Sequence, residues 1–381
     1  MLRRALLAGS APFLLMGLWG CATMAVSPDG RRVAATSAHG LAILDDRGRV
    51  LRTVPQSDHA DAVLWSPDGR YLLFFKSGDQ KQGTSEREAA ETAVLYDTAT
   101  NQLKVISRSA SDVGAFRSDG RKVALFELDE GGQVALVERD IPSGEETARY
   151  YSSAVNVSGP GMQWLPGRDA QAYLATGADR TRHGASDLYV MMDGEEQVLC
   201  PCDDVIGFAP TADGKGLIWA RSPRNGRPAP LILETYDFAS QTRTPVPMKR
   251  MPFWLTASEG YRAEVVYAAF SPDTRRLAVC VDYEERRHPS WRKARTFSAC
   301  FVMTRDGTQW RLLRRTVPRN VDGGVVILPQ WARNGSRIAV MLLGQYTYTV
   351  SLFEPDGSRE RRLLAVIEWP RYRARRHRGR R

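Results

Sequence analysis

Short hydrophobic segments recur along the whole chain, and many of them alternate apolar and polar residues or consist of β-branched and aromatic residues. Such segments, about four to eight residues long, predict β-strands. Beyond the N-terminus, no long stretch shows a convincing 3.6-residue apolar period of the kind that predicts an amphipathic helix. The pattern therefore predicts an all-β protein.

A repeated turn organises these strands. Its clearest form is Ser-Pro-Asp-Gly, in which proline presets φ, aspartate bonds the local backbone and glycine accepts the left-handed conformation. The turn is degraded at Leu165-Pro166-Gly167, and a two-residue insertion is expected between Phe208 and its Asp213-Gly214. Seven copies follow an aromatic or aliphatic residue: Val26, Trp65, Phe116, Trp164, Phe208, Phe270 and Trp331.

The spacing of these turns predicts the architecture. The steps between them range from 39 to 62 residues, and repeats of roughly 40–50 residues with about four strands each are typical of propeller blades. In the second repeat the pattern predicts strands at 61–65, 71–76, 92–97 and 102–107, and in the seventh at 325–331, 337–343, 347–354 and 361–369. We therefore expect a seven-bladed β-propeller of four-stranded antiparallel blades.

The repeated Ser-Pro-Asp-Gly-Arg pattern, followed by a hydrophobic strand, resembles the WD40-like repeats of TolB-type β-propellers from bacterial envelopes. The resemblance covers roughly residues 23–369, and it implies the fold more strongly than an activity. This sequence departs from TolB in having no separate α/β domain before the repeats. Similar repeats form the propeller of some prolyl-oligopeptidase-like enzymes, which also need a hydrolase domain, whereas twelve residues follow Trp369 here.

The N-terminus has the features of an export signal. Arg3 and Arg4 precede an uncharged apolar stretch that ends at Gly20-Cys21, and a basic segment before an apolar one is typical of signal peptides. The small residue before Cys21 resembles a lipobox, which implies cleavage before Cys21 and lipidation of its sulfur. The predicted divisions are a signal peptide at 1–20, the propeller at 21–369 and an arginine-rich disordered tail at 370–381. An uncleaved membrane helix over 5–26 or an ordinary secreted protein are the alternatives.

Positive charge is unevenly distributed. The net charge is +10, and the tail from 371 to 381 holds seven arginines and no acid. Long loops between second and third strands add basic residues, and blade topology places these loops and both chain ends on one face. A lipid together with a basic patch is a two-signal membrane attachment, although a solvated face is the alternative. The predicted basic face and tail comprise Arg180, Arg182, Arg224, Arg227, Arg286, Arg287, Arg292, Lys293, Arg295, Arg371, Arg373, Arg375 and Arg376.

The remaining cysteines are even in number once Cys21 is assigned to lipid. Cys280 and Cys300 fall on consecutive predicted strands, where they could form a disulfide or stay as two buried thiols. Cys200 and Cys202 lack a second Cys or His pair, so they are a weak zinc signal. We expect no metal and no cofactor.

Motifs for catalysis are missing from the sequence. It has no Gly-x-Ser-x-Gly elbow, no His-Glu-x-x-His and no P-loop, and its five histidines fall in predicted loops or the tail. Asp68, Asp119 and Asp273 lie inside the repeated turns, where capping is the expected role. The aromatic residues before the turns are expected to pack between blades.

These features favour a non-enzymatic envelope lipoprotein whose propeller is a scaffold for an unidentified envelope protein, as a monomer or in a hetero-complex. We expect it to face the periplasm and to approach an anionic membrane surface. Ala22 differs from the aspartate that marks inner-membrane retention in similar enteric lipoproteins, so the outer membrane is preferred. Nucleic acid is not an expected partner of an exported chain. The alternative is a propeller hydrolase or lyase that acts on a glycan, lactone or peptide at the central channel.

Overall fold

A computed structural model describes residues 24–37, 40–58, 60–76, 91–177, 186–200, 204–222, 231–249, 261–285, 296–316, 326–343 and 348–363. Within these ranges the regular structure is β-strand, and neighbouring strands pair antiparallel. No helix in the described residues is long and apolar enough to span a membrane.

The first half of the described chain forms three groups of strands. Blade 1 is β1 (Met24–Val26), β2 (Arg32–Ser37), β3 (Gly40–Asp45) and β4 (Val50–Thr53); blade 2 is β5 (Ala60–Trp65), β6 (Tyr71–Lys76), β7 (Glu91–Asp97) and the start of β8 (Leu103–Phe116); blade 3 is the end of β8, β9 (Lys122–Leu128), β10 (Val134–Asp140) and β11 (Glu146–Tyr151).

The second half forms four groups. Blade 4 is β12 (Ala154–Trp164), β13 (Ala170–Gly177), β14 (Asp187–Met192) and β15 (Glu195–Cys200); blade 5 is β16 (Val205–Pro210), β17 (Gly216–Arg221), β18 (Ile232–Asp237) and β19 (Thr242–Val246); blade 6 is β20 (Tyr261–Phe270), β21 (Arg276–Glu285), β22 (Thr296–Thr304) and β23 (Trp310–Arg315); blade 7 is β24 (Val326–Trp331), β25 (Ile338–Leu343), β26 (Tyr348–Phe353) and β27 (Arg361–Leu363).

Strand β8 joins blades 2 and 3 into one seven-stranded sheet. Its first part pairs with β7 through Leu103 to Ser107, and its last part pairs with β9 through Gly114 to Phe116. The strand predicted to end at 107 therefore continues to Phe116. The sequence pattern did not reveal this, because it does not show that the backbone stays extended between the two blades. Counted in both blades, β8 gives seven groups of four strands.

The buried core lies between blades. Each cluster of buried apolar side chains draws its members from two neighbouring blades, including one cluster shared by blades 7 and 1. The first strands of the blades contact one another in a ring that β24 and β1 close. This packing is propeller architecture, in which each sheet buries both faces against its neighbours.

The turn after β16 differs from the sequence expectation. The N–H of Thr211 donates to the Gly216 carbonyl and that of Gly214 donates to the Thr211 carbonyl, as Ser66 and Gly69 do in blade 2. Thr211 therefore takes the serine position, and the strand ends at Pro210 rather than at Phe208. The predicted two-residue insertion is wrong, because the aromatic residue lies two positions earlier on the strand.

Candidate functional site

A central channel of about 540 Å³ lies inside the ring and is lined by the first strands of blades 2 to 7 and the turns that follow them. Small residues such as Ala62, Gly114 and Ala268 form much of its wall. They are small because the first strands approach closely. A Cβ on Gly207 of β16, for example, would lie 1.8 Å from the Ala268 carbonyl oxygen of β20. The lining is therefore mostly apolar and rigidly packed.

The aromatic residues at the strand ends join neighbouring blades. The Trp65 indole Nε1 donates to the Ala25 carbonyl of blade 1 at 3.0 Å, and the Trp331 indole Nε1 donates to the Ala269 carbonyl of blade 6 at 3.0 Å. Trp65 also belongs to the core cluster between blades 1 and 2. Packing between blades is confirmed as their role, although their edges also border the channel.

Trp164 breaks this pattern. Its side chain is 6% exposed and borders the channel, but its indole nitrogen has no hydrogen-bond acceptor among the described residues. The Arg117 guanidinium lies 5.9 Å from the Trp164 ring centroid, in cation–π range. A buried N–H without an acceptor is rare and costly, so Trp164 is a polar group left unmatched at this wall.

The turn aspartates cap the turns, as predicted. Asp68 accepts a hydrogen bond from the Ser66 hydroxyl at 2.5 Å and one from the Arg70 N–H at 3.0 Å. Asp273 accepts the same pair from Ser271 and Arg275. In blade 3, where arginine replaces serine, the Arg117 guanidinium bonds Asp119 and thereby lowers the pKa of Asp119. These carboxylates are held in structural roles.

Two charged side chains are among those that line the described channel, and they lie toward opposite ends. Arg333 is in the turn after β24, at the mouth of the channel on the turn face, which is the face of the propeller formed by the repeated turns after the first strands. Asp112 precedes the end of β8 by four residues, which places it about 13 Å farther in along the strand. Asp112 has an interaction of its own. Arg333 is exposed and has no hydrogen bond or ion pair with the described residues. The neighbouring protein atoms exclude part of its hydration, and this desolvation lowers the pKa of the Arg333 guanidinium.

Sequence reasoning missed Arg333. A signal was available in the alignment of the turns, because Arg333 occupies the position of Pro67 in the clearest copy. Glutamines that precede two of the tryptophans were also missed. Gln163 donates from Nε2 to the Phe208 carbonyl of blade 5, and Gln330 accepts from the Val26 N–H of blade 1 through Oε1.

Tyr267 borders the channel and lies beside Cys280 and Cys300, which are opposite each other on neighbouring strands. Tyr267, Cys280 and Cys300 occupy one row across β20, β21 and β22. Burial raises the pKa of the Tyr267 hydroxyl above its usual value, and burial also raises that of the Cys280 thiol. The Tyr267 hydroxyl and the Cys280 thiol are therefore neutral near pH 7, and neither is activated as a nucleophile or a base.

The cysteines have different states. Cys280 and Cys300 are buried and keep their thiols in the structure, so the possible disulfide between them is not formed here. Cys200 is disulfide-bonded. Among the residues that the structure describes, no group of three or more His, Cys, Asp or Glu could hold a metal ion.

Several predicted site residues lie outside the described ranges. They include the lipidation residue Cys21. The five histidines, expected in loops or the tail, also lie outside these ranges. The same holds for the predicted basic face and tail: Arg180, Arg182, Arg224, Arg227, Arg286, Arg287, Arg292, Lys293, Arg295, Arg371, Arg373, Arg375 and Arg376.

Comparison with solved structures supports the architecture. The β-propeller domain of the Trilobed protease from Pyrococcus furiosus matches 92% of this chain and 99% of that chain at 12% identity, with a TM-score of 0.56. Oligogalacturonate lyase in complex with manganese matches 83% of this chain and 84% of that chain at 12% identity, with a TM-score of 0.53. TolB from Acinetobacter baumannii matches 85% of this chain and 76% of that chain at 16% identity, with a TM-score of 0.42.

No protein-family model matches the chain, and no curated protein matches its sequence. At identities this low, the two matches with TM-scores above 0.5 show the fold alone, and the TolB match carries no argument. The all-β propeller class predicted from the repeated turns is confirmed.

Proposed function

We propose that this protein is a binding propeller of the bacterial cell envelope. A lipid on Cys21 holds it to the membrane, and the propeller faces the periplasm. The basic loops and the arginine tail approach the anionic lipid surface, and the opposite face, formed by the repeated turns, is presented to a protein partner.

The observation that carries this proposal is the construction of the turn face. Its turns are fixed by aspartate caps and by backbone bonds such as that from Gly69 N–H to the Ser66 carbonyl. They surround a mostly apolar channel mouth. A rigid rim around an apolar recess suits the recognition of a partner, because little conformational entropy is lost on binding.

Membrane attachment is tested first with Cys21. We expect the full chain to incorporate radiolabelled fatty acid and to sediment with membranes, and C21S to do neither. If C21S remains in the membrane fraction, the uncleaved helix over 5–26 is the better explanation.

The arginine tail is tested on vesicles that contain phosphatidylglycerol. Each basic residue near an anionic surface contributes about 1 kcal/mol, so deletion of 371–381 is expected to weaken vesicle binding at least about tenfold. A variant with lysine at the seven arginine positions of the tail keeps the charge and is the matched control. Equal binding by the deleted and full-length chains would exclude a role for the tail.

The orientation of the propeller is tested by photo-crosslinking in cells. A crosslinking residue at Ser118, which is exposed in a turn, is expected to capture an envelope protein. The same residue at Gln197, exposed on outer strand β15, is the control and should capture much less. Stronger capture from position 197 would mean that the partner binds the outer edge of the propeller, where strand β15 lies, and not the turn face.

A further inference from the structure

Arg333 differs from the residues at the same position in the other turns. The bonds from Ala332 N–H to the Arg337 carbonyl and from Gly335 N–H to the Ala332 carbonyl give this turn the frame of the others. The matching positions hold Pro28, Pro67, Ser118, Pro166, Ala212 and Pro272. Since the turn forms with proline, serine or alanine there, its geometry does not require an arginine.

The Arg333 guanidinium has no counter-ion among the residues that the structure describes. It makes no ion pair or hydrogen bond with any described residue, whereas two arginines on the same face, Arg117 and Arg337, are paired with carboxylates. Asp112, the other charged side chain of the described lining, is toward the opposite end of the channel and already engaged. Five N–H donors are thus available at the channel mouth.

The channel behind Arg333 has the size and chemistry of a ligand site. Its volume of about 540 Å³ falls within the range of roughly 300–1,000 Å³ that is usual for small-molecule pockets. Leu64, Met162 and Val266 are among the apolar side chains of its wall. A ligand that fills it needs an apolar body and an anionic end.

We propose that the channel binds a small monocarboxylate with an apolar body, and that Arg333 binds the carboxylate at the turn-face mouth. The planar guanidinium matches a carboxylate through two parallel hydrogen bonds. The apolar body enters the channel and displaces water from its wall. This site is independent of the membrane attachment proposed above.

The test is calorimetric titration of the full chain with octanoate, and with octanamide as the uncharged probe of the same length. We expect octanoate to bind at least about tenfold more tightly than octanamide, because a hydrogen bond to a charged group is worth several times RT. R333Q is expected to weaken octanoate binding about 10–100-fold and to leave octanamide unchanged. R333K keeps the charge without the planar fork, so its affinity for octanoate should lie between that of the unmodified chain and that of R333Q.

R31Q is the matched control, because Arg31 is an exposed arginine in the blade 1 turn and does not border the channel. It should bind octanoate as the unmodified chain does. Thermal unfolding checks that R333Q is folded, which we expect since Arg333 has no partner to lose. Equal affinity for octanoate and octanamide, no binding of octanoate, or full binding by R333Q would each overturn the proposal. Arg333-dependent binding of a peptide carboxyl terminus without binding of octanoate would also overturn it, in favour of a protein ligand.

Discussion

The surroundings of Asp282 on β21 shift the pKa of its carboxyl group. It lies opposite Glu264 of β20 and accepts a hydrogen bond from the Ser298 hydroxyl at 2.6 Å. Its side chain retains solvent contact, but burial by the surrounding protein raises its pKa to about 6. The hydrogen bond from Ser298 lowers that pKa, and the charge of Glu264 raises it.

This shift predicts a pH dependence of stability. The pKa is higher in the folded chain than in the unfolded one, so the folded state is favoured at low pH and loses that advantage as the pH rises from about 4 through 6. D282N should remove this slope and gain up to about 1 kcal/mol relative to the unmodified chain between pH 4 and pH 7, a value reduced for solvent exposure. Denaturant unfolding at a series of pH values measures it. E264Q should reduce the slope in part, and an unchanged slope in D282N would contradict the assignment.

At the scale of the element, the first strand of a blade connects its two neighbours. Successive residues of a strand point to opposite faces, so Trp331 reaches back to blade 6 while Gln330 reaches forward to blade 1. The pair Gln163 and Trp164 has the same arrangement in blade 4, but there the tryptophan N–H has no acceptor within the described ranges.

The contrast between Trp65 and Trp164 gives a matched pair of substitutions. W65F removes the hydrogen bond to the Ala25 carbonyl, and W164F removes an N–H that has no partner in the part of the chain that the structure describes. We expect W65F to lower the free energy of unfolding by at least about 1 kcal/mol more than W164F does. Denaturant unfolding of both variants provides the measurement, and equal losses would show that the indole bond contributes nothing.

At the scale of the whole molecule, the ring closes where blade 7 meets blade 1. Each of these two blades is a separate four-stranded sheet in the described residues, so side chains and single backbone bonds join them. Contacts include Gln330 with Val26, the Asn334 N–H with the Pro28 carbonyl, and the Arg361–Asp46 ion pair. A shared core cluster supports them.

Loss of one of these contacts should weaken the closure. Q330A leaves the Val26 N–H without its acceptor, so we expect a loss of about 1–3 kcal/mol in the free energy of unfolding and faster hydrogen exchange in blade 1. Q197A removes an exposed side chain on β15 and should change stability by less than about 0.5 kcal/mol. If hydrogen exchange in blade 1 is the same in Q330A and Q197A, the contact does not hold the ring closed.

The sequence by itself determined the all-β class, the repeated turns and most of the strands, because proline, aspartate and glycine act on the backbone within a few residues. The strands predicted at 71–76 and 92–97 agree closely with Tyr71–Lys76 and Glu91–Asp97. It also indicated that the turn aspartates are caps, since their partners are two residues away.

Only the tertiary structure decided what the turns surround. Gln330 and Val26 are separated by 304 positions in the chain, and the channel is made of short segments from six blades. Arg333 is an ordinary turn residue in the sequence, and its place at an apolar channel, with no counter-ion in the described part of the chain, depends on where every other blade lies. Local chemistry specifies each turn, whereas the chemistry of the channel exists only after the ring has closed.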